Sequence, residues 1–137
     1  MRVLVMLGWL GLALAPAFAQ DLPEPLETRA HERATYTETG PASWYGDKHE
    51  GLTTANGSSF DPDEFTAAHR TLKFGTVVRV TNLANHRAVT VRITDRGPHT
   101  KGRIIDVSSS AARELGMQRR GTARVRVSVF KSDQFPD

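Results

Sequence analysis

The 137 residues contain no cysteine, which excludes disulfide staples, a thiol nucleophile, thiolate metal ligands and a lipid on an N-terminal cysteine. A glycine-rich phosphate loop and a His-Glu-x-x-His helix are also missing, and no serine triad is signalled, so nucleotide, zincin and serine-hydrolase chemistries lack their parts. Charge of one sign is not in excess either. Long apolar runs are absent with one exception, and that exception sits at the N-terminus.

Met1-Arg2 gives the start a positive charge, Val3 to Ala15 is almost unbroken apolar sequence, and Ala17-Phe18-Ala19 has the small-x-small pattern of a signal-peptidase site. The apolar stretch falls short of the roughly 20 residues that span a bilayer. Residues 1–19 are therefore expected to be a signal peptide cleaved after Ala19, leaving an exported protein, periplasmic or secreted, with no membrane span and no lipid anchor. Cleavage removes Arg2 from the 18 basic residues, so 17 basic groups face 15 acidic ones, a net charge of +2. Such a balance is no nucleic-acid signature, and Arg79, Arg92, Arg124 and Arg126, which fall in expected strands, read as a solvated face.

From Gln20 to about Thr39 the chain is rich in Pro, Glu, Thr and Arg without an apolar period, and is expected to be a disordered linker. The packed domain is expected over 40–131, with 132–137 as a C-terminal tail. Pro41 to Gly46 reads as a first short strand, Gly51 to Gly57 as a loop closing on an Asn56-Gly57 turn, and Phe65 to His69 as a short buried strand. Val77 to Asn82 and Ala88 to Thr94 pair most simply as a hairpin. Ser108 is placed to cap a helix from Ser109 to Leu115 that Gly116 ends. Ala123 to Phe130 alternates strictly, which sends Val125, Val127 and Val129 to one core. Many short strands, one capped helix and no long apolar run indicate a mainly β fold, a small closed barrel whose closure removes exposed edges.

What remains for chemistry is carboxylate. Asp95, in Thr94-Asp95-Arg96-Gly97-Pro98, and Asp106, in Arg103-Ile104-Ile105-Asp106-Val107-Ser108, each close an apolar run in a polar setting. Cleavage of a glycosidic bond needs a group that protonates the leaving oxygen, and a carboxyl withdrawn from water can hold a proton for that purpose. The apolar flanks of Asp106 suggest such withdrawal, while Asp95 beside Arg96 reads equally as a structural ion pair. His49, His69 and His99 show no metal-ligand spacing and read as ordinary loop or core imidazoles. Trp44 and Tyr45 suit either sugar stacking or the core.

Ala42-Ser43-Trp44-Tyr45-Gly46, Thr54-Ala55-Asn56-Gly57, Phe60-Asp61, Thr66-Ala67-Ala68-His69-Arg70-Thr71-Leu72, Asp95-Arg96-Gly97-Pro98 and Arg103-Ile104-Ile105-Asp106-Val107-Ser108 together resemble the rare lipoprotein A family of septal proteins. The match runs from about Gly40 to Phe130. The resemblance implies a six-stranded double-psi β-barrel with one or two short helices, the fold of expansins and barwin. It also implies a peptidoglycan lytic transglycosylase that cuts the bond between N-acetylmuramic acid and N-acetylglucosamine without water, leaving a 1,6-anhydro end. By that likeness Asp106 serves as acid and then base, with His69 and Asp61 as further catalytic residues. Trp44, Tyr45, Asn56, Ser58, Asp95, Arg96 and Arg103 are the implied substrate-binding set. Glycan strands are the implied partner, joined by other cell-wall or division proteins, and no metal or organic cofactor is implied. Family members usually read Thr-Ala-Asn-Gly-Glu, whereas this chain has Ser58 at the last position, one acid fewer in the groove. Two function classes therefore stay open: a lyase on glycan strands, and an expansin-like, non-catalytic module that binds glycan and loosens the wall.

Overall fold

The computed structural model describes residues 32–46 and 49–134. The expected signal peptide and most of the expected linker lie outside the described residues.

Among the described residues there are six strands: β1 (Tyr36–Trp44), β2 (Thr66–Ala68), β3 (Val77–Asn82), β4 (Ala88–Asp95), β5 (Ile105–Val107) and β6 (Ala123–Val129). They close into one barrel in the order β1-β5-β2-β4-β3-β6. β1 with β5 and β2 with β4 run parallel, while the other four pairings are antiparallel. The fold is thus mainly β, as expected. Its core is aliphatic: Val78, Val80, Val91, Ile93, Ile105, Val107, Val125 and Val127 are fully buried. The alternation of β6 works as the sequence indicates, with Val125, Val127 and Val129 inside and Arg124 and Arg126 exposed.

One short helix, α1 (Ser109–Glu114), follows β5 directly. The Ser108 hydroxyl accepts from the Ala111 N–H at its start, satisfying one of the orphan donors of the first turn. Its end needs glycine for two reasons. Gly116 has φ of +68°, and a Cβ there would lie 2.9 Å from the Asn85 amide nitrogen. Ala111, Ala112 and Leu115 bury the inner face of the helix, which pins the end of β5. The Ser109 hydroxyl donates to the Tyr45 carbonyl at 3.1 Å and so holds the exit of β1.

Both expected boundaries move outward. β1 begins at Tyr36, before the expected start at Gly40, and pairs with β6 from Tyr36↔Val129 onward. Its first residues, Tyr-Thr-Glu-Thr, carry no apolar period because the side chains there are alternately exposed and partly buried; aromatic and β-branched residues suit such a half-buried ladder. At the other end Lys131–Asp133 forms a 3-10 turn, so 132–134 are not a free tail. Asp133 receives Nε and Nη2 of Arg79 at 2.7 and 2.8 Å, and the Gln134 side chain brackets the backbone of Val77. Arg79 is accordingly paired and half-buried, with its guanidinium 4.3 Å from the Phe130 ring centre, and is not part of a solvated face.

If this barrel is the core described, Ile93→Ala should lower unfolding free energy by about 2–5 kcal/mol, whereas Arg126→Ala should stay within about 0.5 kcal/mol. Urea denaturation followed by circular dichroism reads both. Equal effects would contradict the inside-outside assignment.

Candidate active site

The barrel brings four residues into one transverse row. Ser43 of β1 pairs with Asp106 of β5, Asp106 pairs with Ala68 of β2, and Ala68 pairs with Asp95 of β4. Side chains directly opposite on neighbouring strands share a face, so Asp106 is flanked by a hydroxyl on one side and a methyl on the other. The Ser43 hydroxyl donates to Asp106 Oδ1. Small flanks leave the rest of the carboxylate open, and Asp106 is partly exposed.

One inference from sequence needs correcting here. Ile105 and Val107 are fully buried, but a strand alternates its faces, so they point into the core while Asp106 points the other way. They anchor the strand and do not collar the carboxyl. The surroundings of Asp106 come from Ser43 and Ala68 across the strands, which adjacency in sequence cannot reveal.

Asp95 ends β4 and is held by three donors. Oδ2 receives the Tyr45 hydroxyl at 3.0 Å, and Oδ1 receives the backbone N–H groups of Ala55 and Arg96, each at 2.9 Å. Its oxygens are thereby fixed, and the loop after β1 is tied to the row. The Tyr45 ring packs against Phe60 and His49, with centroids 5.0 and 5.3 Å apart. Burial, then the charge of Asp95 and its hydrogen bond, then the charge of Asp106, push the Tyr45 phenol well above its ordinary range. Tyr45 is therefore a fixed donor to Asp95. Trp44, by contrast, packs partly buried against the core.

His69 is 3% exposed. Its Nδ1 accepts the N–H groups of Thr71 and Leu72, both at 3.1 Å, so the ring proton is assigned by these partners to Nε2, which lies 3.0 Å from Glu38 Oε2. The Tyr36 hydroxyl donates to the same oxygen at 2.6 Å. Burial works against the charge of Glu38, but the hydrogen bonds from Tyr36 and His69, with the field of Arg70 behind them, outweigh it and hold the carboxyl below its usual range. Tyr36 is pushed up to about 12, by burial first and then by Glu38. Glu38 and Tyr36 fall in the segment expected to be linker, where no apolar period marks a strand, and Ser43 has no expected role of its own.

The remaining expected residues separate into loop formers and rim groups. Asn56 Oδ1 accepts from Thr54 Oγ1 at 2.5 Å and from Ser58 N and Oγ at 3.0 and 2.6 Å, closing the turn that Gly57 completes at φ +90°. Ser58 itself is exposed and spends its hydroxyl inside that turn. Arg96 donates Nη1 to the carbonyls of His69 and Leu72 and lies 3.9 Å from the Phe74 ring centre, which makes it a clamp on the loop after β2. Asp61 is exposed and accepts from the Asp63 N–H at 2.9 Å. Arg103 is half-exposed in the turn entering β5. The row thus holds Asp106 and Asp95, with Tyr45 bonded to Asp95, while the His69 side chain belongs to the Glu38 and Tyr36 network. Among the described residues no group of three or more His, Asp or Glu is placed to hold a metal.

The family model described as lytic transglycolase matches residues 37–127. The chain belongs to the lytic transglycolase family. Within it, the chain is similar to the endolytic peptidoglycan transglycosylase RlpA of Neisseria meningitidis serogroup A, 48% identical over 107 residues, 78% of this chain and 45% of the relative. It is similar also to the protein of that name from Pseudomonas aeruginosa UCBPP-PA14, at 50% over 77% of the chain and 31% of the relative. A probable endolytic peptidoglycan transglycosylase RlpA of Nostoc is 58% identical over 66% of the chain and 25% of the relative. This family member spans less than half the length of those relatives. In three dimensions it is similar to the Streptomyces papain inhibitor, TM-score 0.57 at 21% identity over 73% of this chain and 99% of that one. A Clavibacter michiganensis expansin gives TM-score 0.57 at 22% identity over 74% of this chain and 54% of that one. At such identities the likeness carries the fold alone, the double-psi barrel expected above.

The Glu38 network makes a pH prediction. A carboxyl whose folded pKa lies below its unfolded value contributes stability that is complete above the unfolded value and disappears as pH falls through the folded one. The stability gap between wild type and Glu38→Gln should therefore be largest above pH 4.5 and close as the solution is acidified below it. Denaturation midpoints across acidic pH measure this, and a gap independent of pH would contradict the ionised Glu38 described here.

Proposed function

We propose that this chain is a peptidoglycan lytic transglycosylase that acts outside the cytoplasm, after removal of its leader, on the glycan strands of the wall. The observation that carries the reading is Asp106: a partly exposed carboxylate, oriented by Ser43, set between two small side chains in the same row as Asp95. Relatives at 48–58% identity named as peptidoglycan transglycosylases support the substrate.

In this reading the strand lies across the row with its glycosidic oxygen toward Asp106. The Asp106 carboxyl gives a proton to that oxygen as the bond from C1 of the muramyl residue breaks. The C6 hydroxyl of the same residue then bonds to C1 and returns its proton to Asp106, so the acid is regenerated and no water is consumed. The hydrogen bond from Ser43 holds one oxygen, which leaves the other to move the proton. Asp95 serves by fixing Tyr45 and the 51–60 loop, and His69 by bracing the loop after β2 against β1. Asp61 and Arg103 form the rim that meets the strand, as a carboxylate and a guanidinium.

One observation favours the second reading, a barrel that binds glycan without cutting it: Ser58 offers a hydroxyl already used by its own turn where relatives of the resembled family carry a carboxylate. Asp106→Asn separates the two. A proton-transfer group should lose about 10²–10⁴-fold in turnover, while strand binding and melting temperature stay near wild type because the interaction removed is used mainly in the transition state. The products to count are 1,6-anhydromuramyl ends, by mass spectrometry of digested, peptide-stripped strands. Wild-type protein that binds strands but releases no such ends would return the chain to the binding reading.

A further inference from the structure

A cavity of about 460 Å³ is lined by residues of the β3–β4 turn, the end of α1 and the start of β6, among them Asn82, Asn85, Gly116, Met117, Arg120 and Arg124. It shares no residue with the site above. Its hairpin wall, the 83–87 turn, lies at the opposite end of β4 from Asp95, seven residues or roughly 23 Å along an extended strand.

Three guanidinium groups gather on this cavity. Arg120 and Arg124 line it, and Arg87 reaches over its glycine, since a Cβ on Gly116 would lie 3.1 Å from Arg87 Nη1. All three are exposed, and among the described residues none of them makes a salt bridge. The two asparagines of the wall are already committed. Asn82 and Asn85 donate their amide N–H groups to the Leu115 carbonyl at 2.8 and 3.0 Å, and their oxygens accept from the N–H groups of Ala84 and Arg87. Those amides also satisfy the carbonyl end of α1, which would otherwise repel an anion. The side-chain donors left to an incoming ligand are thus the Thr122 hydroxyl and the arginine forks, and the forks suit carboxylates. Met117, Ala84 and Ala123 add apolar lining of a kind that an inorganic anion does not use.

We propose that this cavity is a second binding site, for a short peptide bearing two or more carboxylates. The source of that peptide rests on the wall reading, in which the stem peptides of peptidoglycan supply such carboxylates; the binding chemistry does not. A cavity of this size is in the usual range for small ligands, and clustered positive charge that makes no salt bridge raises the local concentration of anions. The protein would then hold a peptide-bearing strand at the arginine cavity apart from the bond cut at Asp106.

The test is fluorescence polarisation of the full chain with a dye-labelled tetrapeptide stem (L-alanine, γ-linked D-glutamate, a diamino acid and D-alanine), beside the same peptide with its carboxyls amidated, and with inorganic phosphate as competitor. Wild type should bind the acidic stem about tenfold or more tighter than the amidated one, and the double variant Arg120→Gln, Arg124→Gln should lose about tenfold or more, each charge-assisted bond being worth about that much. Binding should weaken as salt is raised. Melting curves establish that the double variant is folded, as expected of two exposed positions. Asp106→Asn should bind the stem like wild type, which separates this site from the catalytic reading: loss of turnover on stripped strands leaves the cavity's role standing. Equal binding of acidic and amidated stems, an unchanged double variant, or phosphate competing as tightly as the stem binds would each overturn the proposal.

Discussion

Everything in the site depends on how three residues of β5 are held. Ile105 and Val107 are locked into the core, and the strand between them is bonded on one side to β1 in parallel and on the other to β2 in antiparallel register. Asp106 cannot shift without pulling two buried aliphatic side chains out of a close-packed interior, at a cost of about 1.5–3 kcal/mol each. The parallel pairing fixes Ser43 as its neighbour and the antiparallel pairing fixes Ala68. A one-residue slip in either would place a core residue of β1 or β2, Ala42 or Ala67, beside the carboxylate and turn Asp106 inward. The crossing of the chain in this barrel is thus what converts a hydrophobic ladder into a positioned carboxylate.

Around that row the structure uses carboxylates for two different purposes. Asp95 is saturated with donors and acts as a knot, joining the end of β4 to Tyr45 and, through Ala55, to the 51–60 loop. Glu38 is a second knot, joining β1 to the loop after β2 through His69. Arg96 adds a third tie to that same loop by donating to two of its carbonyls. Loops that carry function are ordinarily mobile; here the 51–60 loop and the loop after β2 are tethered by charge-assisted hydrogen bonds close to the row. Within the row Asp106, with one donor among the described residues against the three of Asp95, keeps more acceptor capacity free. In the proposed reading that difference in saturation suits Asp106 to react and Asp95 to hold.

Much of this was legible in the sequence where one residue type answers one local demand. The alternation of β6, the Ser108 cap, the stop at Gly116 and the 77–95 hairpin all follow from patterns within a few residues, and the structure shows each of them. The two aspartates also stood out, because a carboxylate closing an apolar run is unusual. What could not be read was pairing across the barrel. Ser43 sits 63 residues from Asp106 in sequence, and nothing local announces that they meet. Glu38 was hidden for a related reason: the first half of β1 is half-exposed, so it lacks the apolar period by which strands are found, and polar sequence there resembles a linker. The supposed apolar collar of Asp106 failed on period alone, since sequence neighbours in a strand face opposite sides. Arg96, expected to touch substrate, donates its Nη1 to backbone carbonyls that sequence cannot place beside it.

The central claim is that the row built around Asp106 breaks a glycosidic bond by moving a proton, with the sugar's own C6 hydroxyl as nucleophile. The most direct measurement is digestion of peptide-stripped glycan strands in water enriched in heavy oxygen, with the new chain ends analysed by mass spectrometry. The account predicts anhydro ends that carry no label, because no water enters the product. Labelled reducing ends would show that water is the nucleophile and would contradict it.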